Sequence, residues 1–559
     1  LKDLNNEMKQ SHSLKRLLAA LSFALLFAIV IAADRGAFRA RETFPSQSYQ
    51  PKYERTTTRT TNEKEGEAVT PSSNDPELAR LINQVIDTSS FTTARWGVCV
   101  ISLKDGHTLY ARNADRLFTP ASNMKIYTTA VALDQLGADY RWRTSVYAAA
   151  PAEVDGTISG DLTLYGRGAP DLTSRPGKEA PASLKQLADA LYQRGVRHVR
   201  GNVVGDESYF RGEPWGDGWQ WNDLQWYFGA EPSALSIDDN EVDVEIKPPT
   251  DGNQPTVAKL STEQADLKLT SDIETVKPGG QLTVGIHRGL SDNRVHVWGE
   301  FPAGSRGFGA RLSIHDPARL AATLLIAALK ARGIIVDGEA RTRDFRTPQS
   351  RRFNTSQATE LAYVLSRPLA EIVRATNKES INLNAELILR TLGRERGELA
   401  PAEDPHKTYE RADDEAGLAV IRQWLGRLGI ATKNLALHDG SGLSRLDLVT
   451  PETTVRVLQA STRTATGALF RDSLPIAGVD GTLRGRLRLN KDRVAAKTGS
   501  LTYDNSLSGY LTTSEGADLA FSIMCNDQTG RAGSIQLIDK IVEILAEYTS
   551  SKSSNPLKS

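Results

Sequence analysis

Ser122 and Lys125, three residues apart in Pro120-Ala121-Ser122-Asn123-Met124-Lys125-Ile126, could together make a nucleophile with its own base. The apolar residues Met124, Ile126, Val131, Ala132 and Leu133 predict a helix from Ala121 to Leu136, which would put the two side chains on one face, a turn apart. Thr119 and Pro120 read as a cap and a first helical residue. Ser122 then lies in the first turn, where free N–H groups and the helix dipole favour developing negative charge. A lysine serves as a base near neutral pH only if burial or a nearby cation lowers its pKa, and Lys497 is a candidate for that cation. The same fragment would also suit an amphipathic helix with a solvated lysine and a capping serine. Chance alone supplies about one or two Ser-x-x-Lys matches in a chain of this length.

Two other fragments supply what such a pair would need. Lys497-Thr498-Gly499-Ser500 follows Val494-Ala495-Ala496 and precedes Leu501, and reads as an edge strand crossing a cleft. Its glycine allows close approach of a substrate backbone, which an edge strand can bind by strand addition. Lys497 and Thr498 can hold a terminal carboxylate, and the Ser500 amide, with that of Ser122, can form an oxyanion hole. Ser380-Ile381-Asn382 precedes the helical run Ala385 to Leu392. Its serine can pass a proton between Lys125 and a departing amine, and Asn382 can bind a substrate amide. Separately, these fragments could be a turn in a surface hairpin and a capped helix start. Their order, spacing and settings together indicate an acyl-enzyme serine hydrolase.

Ser-x-x-Lys, Ser-Asp-Asn and Lys-Thr-Gly are the signature of penicillin-binding proteins and class A β-lactamases. Within that group the chain resembles the D-alanyl-D-alanine carboxypeptidase/endopeptidase family of class C low-molecular-mass penicillin-binding proteins, peptidase family S13. The resemblance rests on Tyr110-Ala111-Arg112-Asn113, Phe118 to Lys125, Asn377-Lys378-Glu379-Ser380, Asp439-Gly440-Ser441-Gly442-Leu443-Ser444-Arg445, Gly478-Val479-Asp480-Gly481-Thr482-Leu483 and Ala496 to Ser500, and covers about 80 to 548. The long gap from Ser122 to Ser380 is a trait of this branch, which inserts extra domains there. Ile381 departs from the commoner Asp or Asn. The resemblance implies an acylated Ser122, Lys125 as its base, and Ser380 as the proton shuttle. It also implies that Asn382 binds the substrate amide, and Lys497 with Thr498 the carboxylate. Peptidoglycan stem peptides would be the substrate, β-lactam antibiotics would acylate Ser122, and no cofactor would be needed.

The chain has 559 residues, enough for two or three cores, and a net charge of +0, which gives no electrostatic case for nucleic acid. Eight His, no His-Glu-x-x-His and no paired-cysteine motif leave a catalytic metal unsupported. Met8, Lys9, Lys15 and Arg16 precede an apolar run from Leu17 to Ala33, so residues 1–33 fit a signal peptide or, through 14–33, a membrane anchor. Either implies an exported protein, periplasmic or otherwise extracytoplasmic. Residues 34–76 read as a disordered linker and 551–559 as a disordered tail.

Between them the pattern predicts a helix Glu77 to Asp87, a strand Trp96 to Leu103, a closing strand Ala517 to Cys525 and a helix Ser534 to Tyr548. Short alternating strands fill the middle. The expected fold is α/β (α+β), of the penicillin-binding-protein/β-lactamase-like transpeptidase class, with an antiparallel sheet flanked by helices and a β-rich two-part insert. The catalytic domain would comprise 77–155 and 312–550, and the inserted domains 156–311. The resemblance implies that Cys99 and Cys525 lie on neighbouring strands, where a bridge is conceivable; two buried free thiols are the alternative.

In Gly218-Trp219-Gln220-Trp221-Asn222-Asp223-Leu224, Asp223 is a candidate to face the cleft and bind the free ammonium of a diamino acid in the stem peptide; packing tryptophans with a turn-capping aspartate would look the same. Asp439 reads as a turn residue. Two other functions compete with a DD-carboxypeptidase and endopeptidase. The late second motif and large insert argue against a β-lactamase or esterase, and the complete set of Ser122, Lys125, Ser380, Asn382 and Lys497 argues against a non-catalytic peptidoglycan-binding protein.

Overall fold

The computed structural model describes residues 72–73, 75–174, 182–250, 255–261, 267–348, 353–398, 412–432, 434–529 and 533–549. The expected leader, most of the linker and the tail lie outside these residues. Among the described residues no helix is long and apolar enough to cross a membrane.

A six-stranded antiparallel sheet runs Ser72–Ser73, Thr108–Arg112, Arg95–Ser102, Asp518–Asn526, Asp504–Thr512, Val494–Leu501. The stretch assigned to the linker contributes a strand to this sheet, since Ser72 and Ser73 pair with Ala111 and Tyr110. In the Arg95–Ser102 strand every residue from Trp96 to Ile101 is buried, because helices cover both faces of the sheet. Leu78, Ile82 and Ile86, one helical turn apart along Pro76–Asp87, pack with the Ser534–Ala546 helix on the face carrying Trp96, Val98 and Val100. Asp75 caps that first helix, accepting from the amides of Glu77 at 3.0 Å and Leu78 at 3.1 Å.

The opposite face carries Cys99, Ile101, Tyr510, Ala520 and Met524 against the Met124–Leu136 helix. That helix is buried at every position from Met124 to Leu133, so it runs through the core, surrounded by helices Leu369–Glu379, Asn382–Arg396 and Pro451–Ser461. A lysine in its first turn has no route to solvent along the helix surface. The two cysteines are free and buried. Cys99 lies opposite Ser522 and Cys525 opposite Trp96, an offset of three residues, so their side chains leave opposite faces of the sheet and a bridge between them is excluded.

The insert is larger than 156–311. A five-stranded sheet, Ala340–Arg343, Val203–Asp206, Leu162–Tyr165, Arg143–Ala148, Thr359–Leu365, takes in chain on both sides of those limits. The Pro317–Ala331 helix buries Ala318, Ala321, Leu325 and Leu329 in the core shared by this sheet, not in the core beneath the six-stranded one. Helical periodicity over Asp316 to Arg332 predicts the element, whereas only the packing shows which body owns it. Among the described residues three three-stranded sheets complete the insert: one of Val257–Leu260, Glu241–Lys247 and Phe308–Ser313, a second of Lys268–Val276, Arg294–Pro302 and Gly285–Arg288, and a third of Ile335–Val336, His198–Val199 and Thr157–Ile158. Arg143 pairs with Leu365, so the chain leaves and returns side by side.

Candidate active site

The turn bearing Ser122 is not the capped helix start expected from Thr119 and Pro120. The Thr119 amide instead donates to Asn526 Oδ1 at 2.8 Å, Ala121 takes a left-handed φ of 49°, and a single 3-10 turn, Ala121–Asn123, leads into the helix. A non-glycine residue at this φ is uncommon and costs roughly 1–3 kcal/mol, which its surroundings must offset. They do so from two sides. Ser506 Oγ donates to the Pro120 carbonyl at 2.7 Å and Asn123 Nδ2 to Ser508 Oγ at 2.7 Å. On the other side Gly442, at φ 79°, lies so close that a β-carbon there would overlap the Ala121 carbonyl.

Lys125 is fully buried, with its amine 3.0 Å from Ser122 Oγ, 2.6 Å from Asn382 Oδ1 and 2.8 Å from the Ser441 carbonyl. The Asn382 and Ser441 oxygens can only accept, and the orientation of the Asn382 amide is fixed by its Nδ2 donating to the Phe228 carbonyl at 2.9 Å. A neutral amine that gives two hydrogens to those oxygens turns its lone pair toward the Ser122 hydroxyl, the orientation of a base. Burial holds the Lys125 pKa down at about 8 against the opposing pull of Asp439 and Glu386. The lowering is worth about 3 kcal/mol. Burial is thus the cause, rather than the Lys497 charge expected from the sequence. The influence runs the other way: Lys497, also fully buried, is held well below the ordinary lysine value by burial first and by the Lys125 charge second.

Lys497 Nζ donates to Ser380 Oγ at 2.8 Å and to the Thr498 carbonyl at 2.9 Å. Ser380 ends the Leu369–Glu379 helix at a left-handed φ of 59°, and Asn382 opens the next helix. This break between helices aims both side chains into the same space. The Val494–Leu501 strand is the sheet edge, as predicted. The Ala496 amide faces outward to the Pro475 carbonyl, so by the two-residue period of a strand the Thr498 and Ser500 amides face outward too. Gly499 has a different task from the expected one. A β-carbon at that position would lie 2.6 Å from the Pro120 carbonyl and 3.1 Å from the Ser122 amide, so the glycine admits the protein's own nucleophile turn. Ser122, Ser380, Asn382 and Thr498 are partly exposed and Ser500 exposed, above two buried lysines.

Several groups here carried no individual expectation. Thr482 Oγ1 accepts from Thr498 Oγ1 at 2.8 Å. Its loop is pinned by Lys378, whose amine pairs with Asp480 at 2.8 Å. The signal was present, because Asn377 to Ser380 and Gly478 to Leu483 were among the stretches that carried the resemblance. Asp439 is the turn residue expected, accepting from the amides of Gly442 at 2.6 Å and Ser444 at 2.7 Å and from Trp219 Nε1 at 2.9 Å. The insert reaches the site through Trp219 and the Phe228 carbonyl. Asp223 is half-buried, its pKa raised by burial and partly restored by Arg445, which donates to Gln220 Oε1 at 3.3 Å and the Thr502 carbonyl at 3.0 Å.

Residues 78–548 match the D-Ala-D-Ala carboxypeptidase 3 (S13) family. The chain belongs to that family. It is a serine-type D-Ala-D-Ala carboxypeptidase with a penicillin-binding-protein fold. The enzyme is 32% identical over 485 residues to the D-alanyl-D-alanine carboxypeptidase of Actinomadura sp. (strain R39), covering 84% of this chain and 85% of that one. It is 28% identical over 454 residues to the D-alanyl-D-alanine carboxypeptidase DacB of Haemophilus influenzae, covering 78% and 88%. The crystal structure of penicillin binding protein 4 (dacB) from Haemophilus influenzae superposes with a TM-score of 0.69 at 25% identity, covering 84% of this chain and 99% of that one.

Proposed function

We propose that this carboxypeptidase acts on peptidoglycan stem peptides outside the cytoplasm through an ester on Ser122, and cuts D-Ala-linked cross-bridges by the same route. The observation that carries the reading is the Lys125 amine, 3.0 Å from Ser122 Oγ with its other contacts on acceptor-only oxygens. Lys125 takes the hydroxyl proton as Ser122 Oγ attacks the penultimate D-Ala carbonyl carbon. The Ser122 and Ser500 amides receive the oxyanion, and Lys497 with Thr498 the terminal carboxylate. As the C–N bond breaks, Ser380 gives its proton to the leaving amine and takes the one held by Lys125, which leaves Lys125 a free amine again. Asn382 holds the substrate amide through the second hydrogen of its Nδ2. Water then adds to the ester carbonyl, Lys125 again taking the proton, and Lys125 returns that proton to Ser122 Oγ as the ester C–O bond breaks. In an endopeptidase cut the leaving amine belongs to the cross-linked D-Ala rather than to free D-alanine.

Asp223 is assigned to the ammonium of a diamino acid in the stem, because it is a half-buried carboxylate in a loop tied by Arg445 to the hairpin that follows Ser500. Asp223→Ala should weaken turnover of substrates bearing that ammonium far more than of those lacking it, and equal losses would remove the assignment.

The deciding experiment is intact-mass spectrometry of the chain after brief exposure to benzylpenicillin, beside Ser122→Ala. An adduct of one intact penicillin, absent from the variant, is the expected result. Penicillin consumed without an adduct would make the protein a β-lactamase, and neither adduct nor consumption would make it a binding protein.

A further inference from the structure

We propose that Glu386 is a positioning residue for the Lys125 base. The Asn382–Arg396 helix carries Asn382 in its first turn and Glu386 one turn later, on the same face. Glu386 is 2% exposed, and its carboxylate accepts from the Ser441 amide at 2.8 Å and the Gly440 amide at 3.1 Å. The carbonyl of that same Ser441 takes one hydrogen of the Lys125 amine, and Asn382 takes another. One helix face therefore sets the separation of both acceptors, and through them the direction of the lone pair toward Ser122. A carboxylate merely filling the core would not be tied to the residue whose carbonyl touches the base.

The charged groups facing this region are Asp439 and Asp447 from the loop, Arg390 from the same helix, and Lys125 and Lys497 from the site. Burial and Asp439 push the Glu386 carboxyl up to about 8, against the Ser441 and Gly440 hydrogen bonds and Arg390. Where ionised, Glu386 favours the charged form of Lys125. Removing its charge can therefore only move the titration of that base to lower pH.

The inference rests on the acyl-Ser122 reading, and the test separates the two. Second-order acylation by benzylpenicillin is followed across pH for the wild type and for Glu386→Gln, Glu386→Asp and Glu386→Ala, with thermal denaturation alongside. Glu386→Gln is nearly isosteric and should move the acidic limb to lower pH. Glu386→Asp keeps the charge but draws it back, so the limb should stay while the maximal rate falls about tenfold. Glu386→Ala, leaving two amides without an acceptor, should lose about 10²-fold. Wild-type limb position and maximal rate in Glu386→Gln would overturn the proposal, as would variants that lose thermal stability alone. A wild type that forms no adduct would overturn the acyl-Ser122 reading and this inference with it.

Discussion

Gly499→Ala puts the packing of the site to a quantitative test. The added methyl carbon would lie 2.2 Å from Ser506 Oγ, 2.6 Å from the Pro120 carbonyl oxygen and 3.1 Å from the Ser122 nitrogen. Carbon and oxygen normally come no closer than about 3.3 Å, so roughly 1.1 Å of movement is required at Ser506 Oγ and roughly 0.7 Å at the Pro120 carbonyl. The strand cannot easily supply it, being paired along its length with Asp504–Thr512. Nor can Ser506 turn away without giving up its 2.7 Å bond to the Pro120 carbonyl. The displacement falls on the turn that holds Ser122. Overpacking should cost the fold about 1–3 kcal/mol. A misplacement approaching 1 Å should cost about 10²-fold in reaction rate, or about 3 kcal/mol of barrier. Acylation by benzylpenicillin, followed by stopped-flow, should therefore fall by about 10² while the protein remains folded. Gly309→Ala is the control: its β-carbon would meet nothing nearer than 3.8 Å, and both stability and rate should be unchanged. A Gly499→Ala protein acylating within about threefold of wild type would refute the reasoning.

Three further outcomes are expected. Because acylation needs the free amine of Lys125, held at about 8, the wild-type rate should rise about tenfold per pH unit on the acid side and level above it; a profile flat through that range would remove Lys125 as the base. Lys497 is held well below the ordinary lysine value in the free protein, and a bound carboxylate favours its charged form, so binding of a D-Ala-D-Ala peptide near neutral pH should take up a proton. Calorimetry in buffers of different ionisation enthalpy measures this, and proton release would contradict it. Cys99 and Cys525, buried with thiols pushed up to about 12, should resist a thiol reagent until the protein unfolds, and reductant should leave Tm unchanged.

The parts of the site legible in the sequence were those governed by short spacing: a serine and lysine sharing a helix face, a Lys-Thr-Gly strand at an edge, a Ser-x-Asn at a helix start. The departures arose where a distant segment decides a local conformation. Ala121 adopts a left-handed φ because Ser506 and Gly442, far along the chain, hold its neighbours. Lys125 has its low pKa because the whole helix around it is interior, which an apolar pattern suggested but could not measure. The cysteines were rightly placed on neighbouring strands, yet their facing depends on register, which spacing along one chain does not contain. Glu386 looked like any helical glutamate, since its partners are two backbone amides in a loop 54 and 55 residues on.

The central sheet also governs the order in which the site can assemble. Arg95 ends up beside Asp527, 432 residues later, because the Arg95–Ser102 strand takes Asp518–Asn526 as its neighbour. Pairing over such a separation closes late and slowly. The Lys-Thr-Gly strand and the serines that brace the Ser122 turn join the sheet through the same late strands. A nascent chain ending short of them has its serine and lysine but neither the brace nor the second wall of the cleft. The order of strands thus withholds the assembled site until the Asp518–Asn526 strand has joined the sheet.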